Sequence, residues 1–256
     1  MKLDSRYNFV QIEVTTLCNF GCFYCAGREM PKQHMSMPLF DKIVSILPEN
    51  SVTVSLQGEG EPTLNPHFWQ MVEKVVNSGH IPYTITNGSH VDFERIAENF
   101  PRIGFSVDTA DPVEAERIGR YGLKNVLANL EQLSKMMGDR IIVHSVDYGQ
   151  PMEELNEYLD NLDIIRRVIQ PIRAKADYSR RYPQLQNPAS QIYHYRCKYI
   201  FNPSMVYFDV NGRIMPCYSI KDTAKFVSAK HIRQQLQQRT VPECCAGCRE
   251  ICMRSA

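Results

Sequence analysis

Cys18, Cys22 and Cys25 carry more chemical potential than any other residues in this chain. Three thiols at this spacing can converge on one soft-metal centre, because thiolate ligands select iron–sulfur clusters, zinc or copper(I). A closed structural zinc site requires four protein ligands, so a trio leaves one coordination position for another molecule. The competing reading is a redox or zinc CxxC formed by Cys22 and Cys25, with Cys18 a stray. Against it stand the aromatic Tyr24 just ahead of the last thiol and the strand that leads into the loop. In that strand Val10, Ile12 and Val14 alternate with Gln11, Glu13 and Thr15, a period of two that predicts a β-strand ending where the cysteines begin.

The CxxxCxxC loop resembles that of radical S-adenosylmethionine (SAM) enzymes. The resemblance implies that Cys18, Cys22 and Cys25 hold a [4Fe–4S] cluster through three irons, that the fourth iron chelates SAM, and that Tyr24 packs near the adenine. It further implies reductive cleavage of SAM to a 5′-deoxyadenosyl radical that abstracts a substrate hydrogen, with a flavodoxin or ferredoxin as external one-electron reductant.

The elements that must position this loop follow in order. Leu39, Ile43, Ile46 and Leu47 predict a short helix, and SVTVSLQG a second strand. Phe68, Met71, Val72, Val75 and Val76 mark a helix that Gly79 ends, and IPYTITNG is a third strand. The alternation continues through a helix over 91–100, the strand RIGFSVD, a helix over 124–137, the strand RIIVHSVD, a helix over 152–162 and the strand DIIRRVIQPI. Strand-and-helix alternation predicts an α/β fold with a parallel sheet and right-handed crossovers. Six units are too few for a closed eight-stranded barrel, so an open partial (β/α)6 barrel is expected, as the resemblance also implies. In such barrels chemistry gathers at the C-terminal strand ends.

The second strand ends in Gln57, Gly58, Glu59, Gly60, Glu61 and Pro62, which alone reads as a solvated turn. In this position it resembles the Gly-Gly-Glu-Pro motif of the family, which implies that Gly60, Glu61 and Pro62 receive the methionine amino group of SAM. Glu59 stands where the first glycine of that motif usually sits. The third strand ends in Asn87 and Gly88, an ordinary turn pair that could also bind ligand; for Ser106 and Asp108, ending the fourth, the resemblance implies contact with SAM or substrate. The histidines, His34 among them, show no ligand spacing, Trp69 reads as core, and the basic stretch of Arg166, Arg167, Arg173, Lys175, Arg180 and Arg181 as solvated surface.

The remaining cysteines lie far down the chain: Cys197, Cys217, Cys244, Cys245, Cys248 and Cys252. Between the first two, MVYFDVNGRIMPC places two short strands around Asn211-Gly212, a signal for a type I′ hairpin, and the helix KHIRQQLQQR follows. A hairpin this short needs a staple, which a metal held by thiolates would supply. The pattern resembles the SPASM or shorter twitch extension of radical SAM enzymes. That resemblance implies a second, auxiliary [4Fe–4S] cluster on Cys197, Cys217, Cys245 and Cys248; Cys244 or Cys252 could replace either member of the closing pair, and a structural zinc on the same thiols remains the alternative.

With 256 residues, 43% of them hydrophobic, the chain can bury one large core with an appendage. The expected division is a barrel core at 1–173, a linker at 174–196 and a cluster module at 197–256. A net charge of +1 gives no general field for nucleic acid or anionic membrane, and no apolar run reaches membrane-spanning length. A cytoplasmic enzyme is expected, without nucleic-acid or membrane partners. Its substrate is expected to be a small molecule that is oxidised or rearranged, or alternatively a ribosomally made peptide, against which only seventeen residues precede Cys18. The rival of another class is a metal-stabilised binding module without catalysis.

Overall fold

The computed structural model describes residues 2–172, 194–248 and 250–254. It alternates strand and helix as expected. β1 (Phe9–Ile12) leads through the cysteine loop to α1 (Met37–Ser45), β2 (Thr53–Leu56) and α2 (Phe68–Asn77). The third strand is broken into β3 (Ile81–Tyr83) and β4 (Ile85–Thr86), and is followed by α3 (Phe93–Asn99) and β5 (Ile103–Ser106). Then come α4 (Pro112–Arg117), α5 (Leu123–Met137), β6 (Ile141–Asp147), α6 (Glu153–Asn161) and β7 (Arg167–Pro171).

Local sequence explains these boundaries. Pro38 sits at the start of α1, and the Asp92 carboxylate accepts the Arg95 N–H to cap α3. Gly79 follows α2 at a φ of 78°, a left-handed conformation that glycine adopts without strain. Each long helix turns one stripe inward. In α5 that stripe is Leu123, Val126, Leu130, Leu133 and Met137. The helix α4 was not predicted from the sequence: one turn and a half is too short to show a period, although Asp111 capping and Pro112 at its first position mark its start.

The strands β1, β2 and β3 pair in parallel and in sequence order, as do β4, β5, β6 and β7. The two runs meet at Thr84, whose hydroxyl donates to Leu56 O at 2.7 Å while its carbonyl accepts the Gly104 N–H at 2.8 Å. Val10, Ile12, Val54, Leu56, Ile103 and Phe105 are fully buried against the helices. Burial of such side chains stabilises the fold by roughly 1.5–3 kcal/mol each.

The C-terminal part has β8 (His194–Cys197), a helical turn α7 (Lys198–Phe201), β9 (Met205–Phe208), β10 (Ile214–Met215), α8 (Ala229–Gln237) and β11 (Ile251–Arg254). Most of the expected linker, 174–196, and the basic residues Arg173, Lys175, Arg180 and Arg181 lie outside the described residues. The hairpin is present, with β10 antiparallel to β9. Its turn is not type I′, which needs positive φ at both central residues: only Gly212 has one, at 75°. Asp209 is the reason. Its carboxylate accepts the N–H groups of Asn211 (3.0 Å) and Arg213 (2.8 Å), a local network that favours a right-handed Asn211.

The hairpin does more than staple itself. β9 runs parallel to β1, pairing Phe9 with Met205 and Ile12 with Phe208, and so extends the large sheet to the order β10-β9-β1-β2-β3. Val206 and Phe208 join the core beneath the first sheet, whereas Tyr207 joins a separate cluster with Cys197, Cys217, Ile232 and Leu236. Hydrogen bonding therefore does not divide the chain at residue 197. Phe208→Ala is expected to destabilise the metal-free protein by about 3–5 kcal/mol. Urea unfolding followed by the fluorescence of Trp69, the single tryptophan, would register that loss in the core formed by the N-terminal part.

Candidate active site

The cysteine loop leaves the end of β1 and is gripped from several sides. On one side, the turn after β2 folds over it: Glu61 N donates to Leu17 O at 2.7 Å. Only glycine fits at position 60, because a Cβ there would lie 2.6 Å from Thr15 O. The Glu61 side chain is 2% exposed and fully engaged, accepting from Thr63 N and Oγ1 (3.2 and 2.7 Å), Thr86 Oγ1 (2.8 Å) and Asn87 N (2.6 Å). Pro62 begins the short 3-10 turn that Glu61 caps. Burial pushes the Glu61 carboxyl up, and those donors pull against the shift.

Asn87, at the end of β4, holds the loop from a second side. Its amide donates to Asn19 Oδ1 at 2.8 Å and faces Cys18 Sγ at 3.9 Å, while its Oδ1 accepts from Ser89 N and Oγ. A third grip comes from the segment after α4. Gly21 N donates to Gly119 O (2.8 Å) and Phe23 N to Ile118 O (3.1 Å), with Gly119 at a φ of 84°.

The next residue, Arg120, is the main feature that sequence reasoning missed. It is buried, pairs with Asp108 at 2.6 Å, donates to Tyr24 Oη at 2.9 Å and reaches Ser106 O and Oγ, both at 2.7 Å. Asp108 is fully buried; it also accepts from the Tyr24 hydroxyl in a short contact and from Val146 N at 2.7 Å. Burial opposes the charge on Arg120, but Asp108, Tyr24 and Cys22 together outweigh it and raise its pKa well above normal. The polar atoms of Ser106 and Asp108, expected at a ligand, bond Arg120, and Asp108 also bonds Tyr24. No sequence pattern marks an arginine that acts through tertiary contacts alone.

Within this frame Cys22 is buried and Cys18 and Cys25 are partly exposed, and none of the three is in a disulfide. Burial pushes up the pKa of both Cys18 and Cys25, so metal binding must displace protons. Cys25 Sγ lies 3.5 Å from Glu59 Oε2. Burial would push the Glu59 carboxyl up, but Lys221 at 2.7 Å overcomes it and leaves it lowered.

The loop opens onto a cavity of about 560 Å³ lined by residues of β1, β3, β4, β6 and β7 and of the loops beside them, among them Gln11, Cys25, Gln57, Tyr83, His144, Gln170, Tyr218 and Lys221. Tyr83 Oη lies 2.9 Å from His144 Nε2, and burial lowers the His144 pKa to about 4, so the imidazole is neutral at physiological pH. A signal for these two was present: each is a polar group set among apolar neighbours of a strand. Lys221 gave none.

The second thiol group also converges. Cys197, Cys217, Cys244, Cys245 and Cys248 line one small void with Ile200, Ile220 and Ile232. Cys244 Sγ stands 3.8 Å from Cys245 Sγ; that contact, with burial, raises the Cys245 pKa, and burial pushes Cys197 up to about 11. The side chain of Cys252 lies outside the described residues. Among the described residues no group of three or more His, Cys, Asp or Glu side chains is arranged to hold a single metal ion. No helix among them is long and apolar enough to cross a membrane.

Two predictions follow from these grips. Arg120→Met, which strands the buried Asp108 charge, should cost about 3–5 kcal/mol in urea unfolding, and adding Asp108→Asn should recover part of it. For His144 the folded pKa lies below the unfolded one, so its stabilising effect is complete above the unfolded value of about 6.5 and is lost as pH falls towards 4. Thermal melts from pH 7 to 4 should therefore show a shallower decline for His144→Gln than for the wild type.

Comparison with known proteins agrees with this geometry. The chain is 29% identical over 153 residues to a GTP 3′,8-cyclase of Mannheimia succiniciproducens, covering 55% of this chain and 45% of that protein. It is 28% identical over 163 residues to the neomycin C epimerase of Streptomyces fradiae, covering 59% and 50%. It thus spans about half the length of these relatives. The fold matches that of Streptococcus suis SuiB bound to S-adenosylmethionine with a TM-score of 0.67 at 13% identity, over 86% of this chain and 62% of that one. The family model described as the radical SAM superfamily matches residues 12–162, and the chain belongs to that superfamily, which implies a [4Fe–4S] cluster and SAM as cofactors.

Proposed function

We propose that this protein is a radical SAM enzyme acting on a small molecule held in the cavity between its two thiol groups. The observation that carries the reading is the packing of the Gly60–Glu61–Pro62 turn against the loop that bears Cys18, Cys22 and Cys25, with Cys25 in the wall of that cavity. The residues fit the cofactors: three thiols and no fourth protein ligand on the loop suit a cluster with one open iron, and a turn that leaves no room for a Cβ brings backbone close to the site. The bound cluster and SAM, with one electron from an external flavodoxin or ferredoxin, would supply a 5′-deoxyadenosyl radical that removes a hydrogen atom from a substrate C–H bond.

The chain's own residues then have distinct tasks. The three thiols bind the cluster. Gly60, Glu61 and Pro62 shape the turn for the methionine end of SAM, with Glu61 acting as a brace because its oxygens are occupied. Asn87 steadies the Cys18 end of the loop, and Ser106 and Asp108 act through Arg120 to fix Tyr24. Tyr24 lines the cavity and stacks at 5.9 Å on Tyr148, which suits an aromatic wall for the adenine. Gln11, Gln57, Tyr83, His144 and Gln170 offer neutral hydrogen-bonding groups to the substrate.

The six parallel strands are read as an open (β/α)6 barrel over residues 1–173, and 197–256 as a twitch-type module. Its Cys197, Cys217, Cys245 and Cys248, with Cys244 beside them, would hold an auxiliary [4Fe–4S] cluster. Thiols that line one void suit a polynuclear cluster, in which each thiolate takes a different iron. Such a cluster would supply an electron acceptor for an oxidation, or brace the pocket. A second reading, modification of a peptide, is favoured by the fold shared with SuiB, which has been solved with its precursor peptide SuiA.

Anaerobic reconstitution tests the proposal. The wild type should bind about eight irons and convert SAM to 5′-deoxyadenosine with dithionite. The Cys18→Ala/Cys22→Ala/Cys25→Ala variant should bind about four irons and make none. Zinc retained in that variant in place of iron would refute the auxiliary cluster. Absence of 5′-deoxyadenosine from the fully loaded wild type would refute the catalytic reading in favour of a binding module.

A further inference from the structure

The charged cluster where the cavity meets Cys25 has no task in the account above. Glu13 is 1% exposed, and its Oε1 accepts the Glu59 N–H at 2.9 Å while its Oε2 is buried without a hydrogen-bond partner. Glu59 continues to Cys25, with Oε2 at 3.5 Å and its carbonyl at 3.6 Å from the sulfur. The turn is pressed tightly there, since a Cβ on Gly27 would lie 2.7 Å from Glu59 O. The Glu59 carboxylate therefore stands beside a thiol that must become an anion to bind metal, with the Glu13 carboxyl, which burial pushes up, behind it. The cation facing them, Lys221, comes from the C-terminal part of the chain. Its Nζ lies 2.7 Å from Glu59 Oε1 and 5.1 Å from the ring of Tyr207, which β9 places alongside β1, and its side chain is only 8% exposed.

We propose that Lys221 is a positioning residue: its charge balances Glu59, holds the Glu59 turn against Cys25, and so makes the first cysteine loop's competence for its cluster and SAM depend on the C-terminal part. The inference rests on the reading of Cys18, Cys22 and Cys25 as cluster ligands. The physical ground is that an ion pair broken on one side leaves an uncompensated buried charge, whereas removing both charges does not. An added net negative charge beside a cluster also disfavours its reduction.

The test compares reconstituted wild type, Lys221→Met, Lys221→Arg and the double variant Glu59→Gln/Lys221→Met. SAM affinity is measured by calorimetric titration, the potential of the first cluster by redox titration followed by electron paramagnetic resonance, and metal-free stability by thermal melts. Lys221→Met should weaken SAM binding roughly tenfold and make the potential more negative. Lys221→Arg should stay close to wild type, and the double variant should recover most of the loss, a non-additivity expected of residues in contact. Unchanged affinity and potential in Lys221→Met, or a double variant no better than the single one, would overturn the proposal. If Lys221→Met fails to fold, the metal-free melt of the double variant decides: restored folding supports charge balance and continued failure overturns it. A wild type that takes up no SAM-binding cluster would instead refute the reading of the three cysteines, while the metal-free melts would still decide whether Lys221 balances Glu59.

Discussion

The hold on the cysteine loop is the constraint from which the rest of the structure follows. A loop that must present three thiols to one cluster cannot pack a core of its own, and its thiolates repel one another until metal is bound. The fold compensates with backbone bonds to Leu17, Gly21 and Phe23 and with the buried polar groups Asn87, Asp108 and Arg120. These come from the ends of β2, β4 and β5 and from the segment after α4. A loop gripped from several strand ends is pre-organised, so less conformational entropy is lost when its metal binds.

That division of labour changes the meaning of the polar residues at the strand ends. Glu61, Asn87, Ser106 and Asp108 look from their positions like ligand contacts, and the structure gives most of their donors and acceptors to other protein groups. A carboxylate with its oxygens occupied cannot also grip a ligand well, but it can fix the geometry of a turn whose backbone does. Other neutral polar groups, Gln11, Tyr83, His144 and Gln170, line the cavity itself, with Tyr83 and His144 bonded to each other.

What was legible in the sequence follows the same line. Periodicity located the six parallel strands and most helices within a few residues, because Val10, Ile12, Val54 and Phe105 alternate along strands while Leu123, Val126, Leu130 and Leu133 recur along a helix. The cysteine loop was legible because thiols at short spacing have few other uses. Arg120 and Lys221 were not, since an arginine or lysine whose partner is 12 or more positions away leaves no local pattern: Asp108 and Glu59 are set beside them only by the fold. The turn at Asn211-Gly212 shows the limit of a dipeptide signal, since Asp209 two residues earlier decided its type.

The parallel pairing of β9 with β1 ties the two thiol groups into one object. The first loop leaves the C-terminal end of β1. Cys217 follows β10, which runs antiparallel to β9 and ends at Met215, opposite Tyr207 and so level with Gln11 of β1. Residues of both parts line the cavity, Phe9, Gln11 and Cys25 from the first and Tyr218 and Lys221 from the second. A molecule in the cavity is thereby bounded by two parts of the chain that backbone hydrogen bonds join. Side-chain packing can relax by an ångström at little cost, but slipping the β9–β1 register would turn Val206 and Phe208 out of the core and Tyr207 into it. The pairing of the two parts is therefore as firmly determined as the core itself.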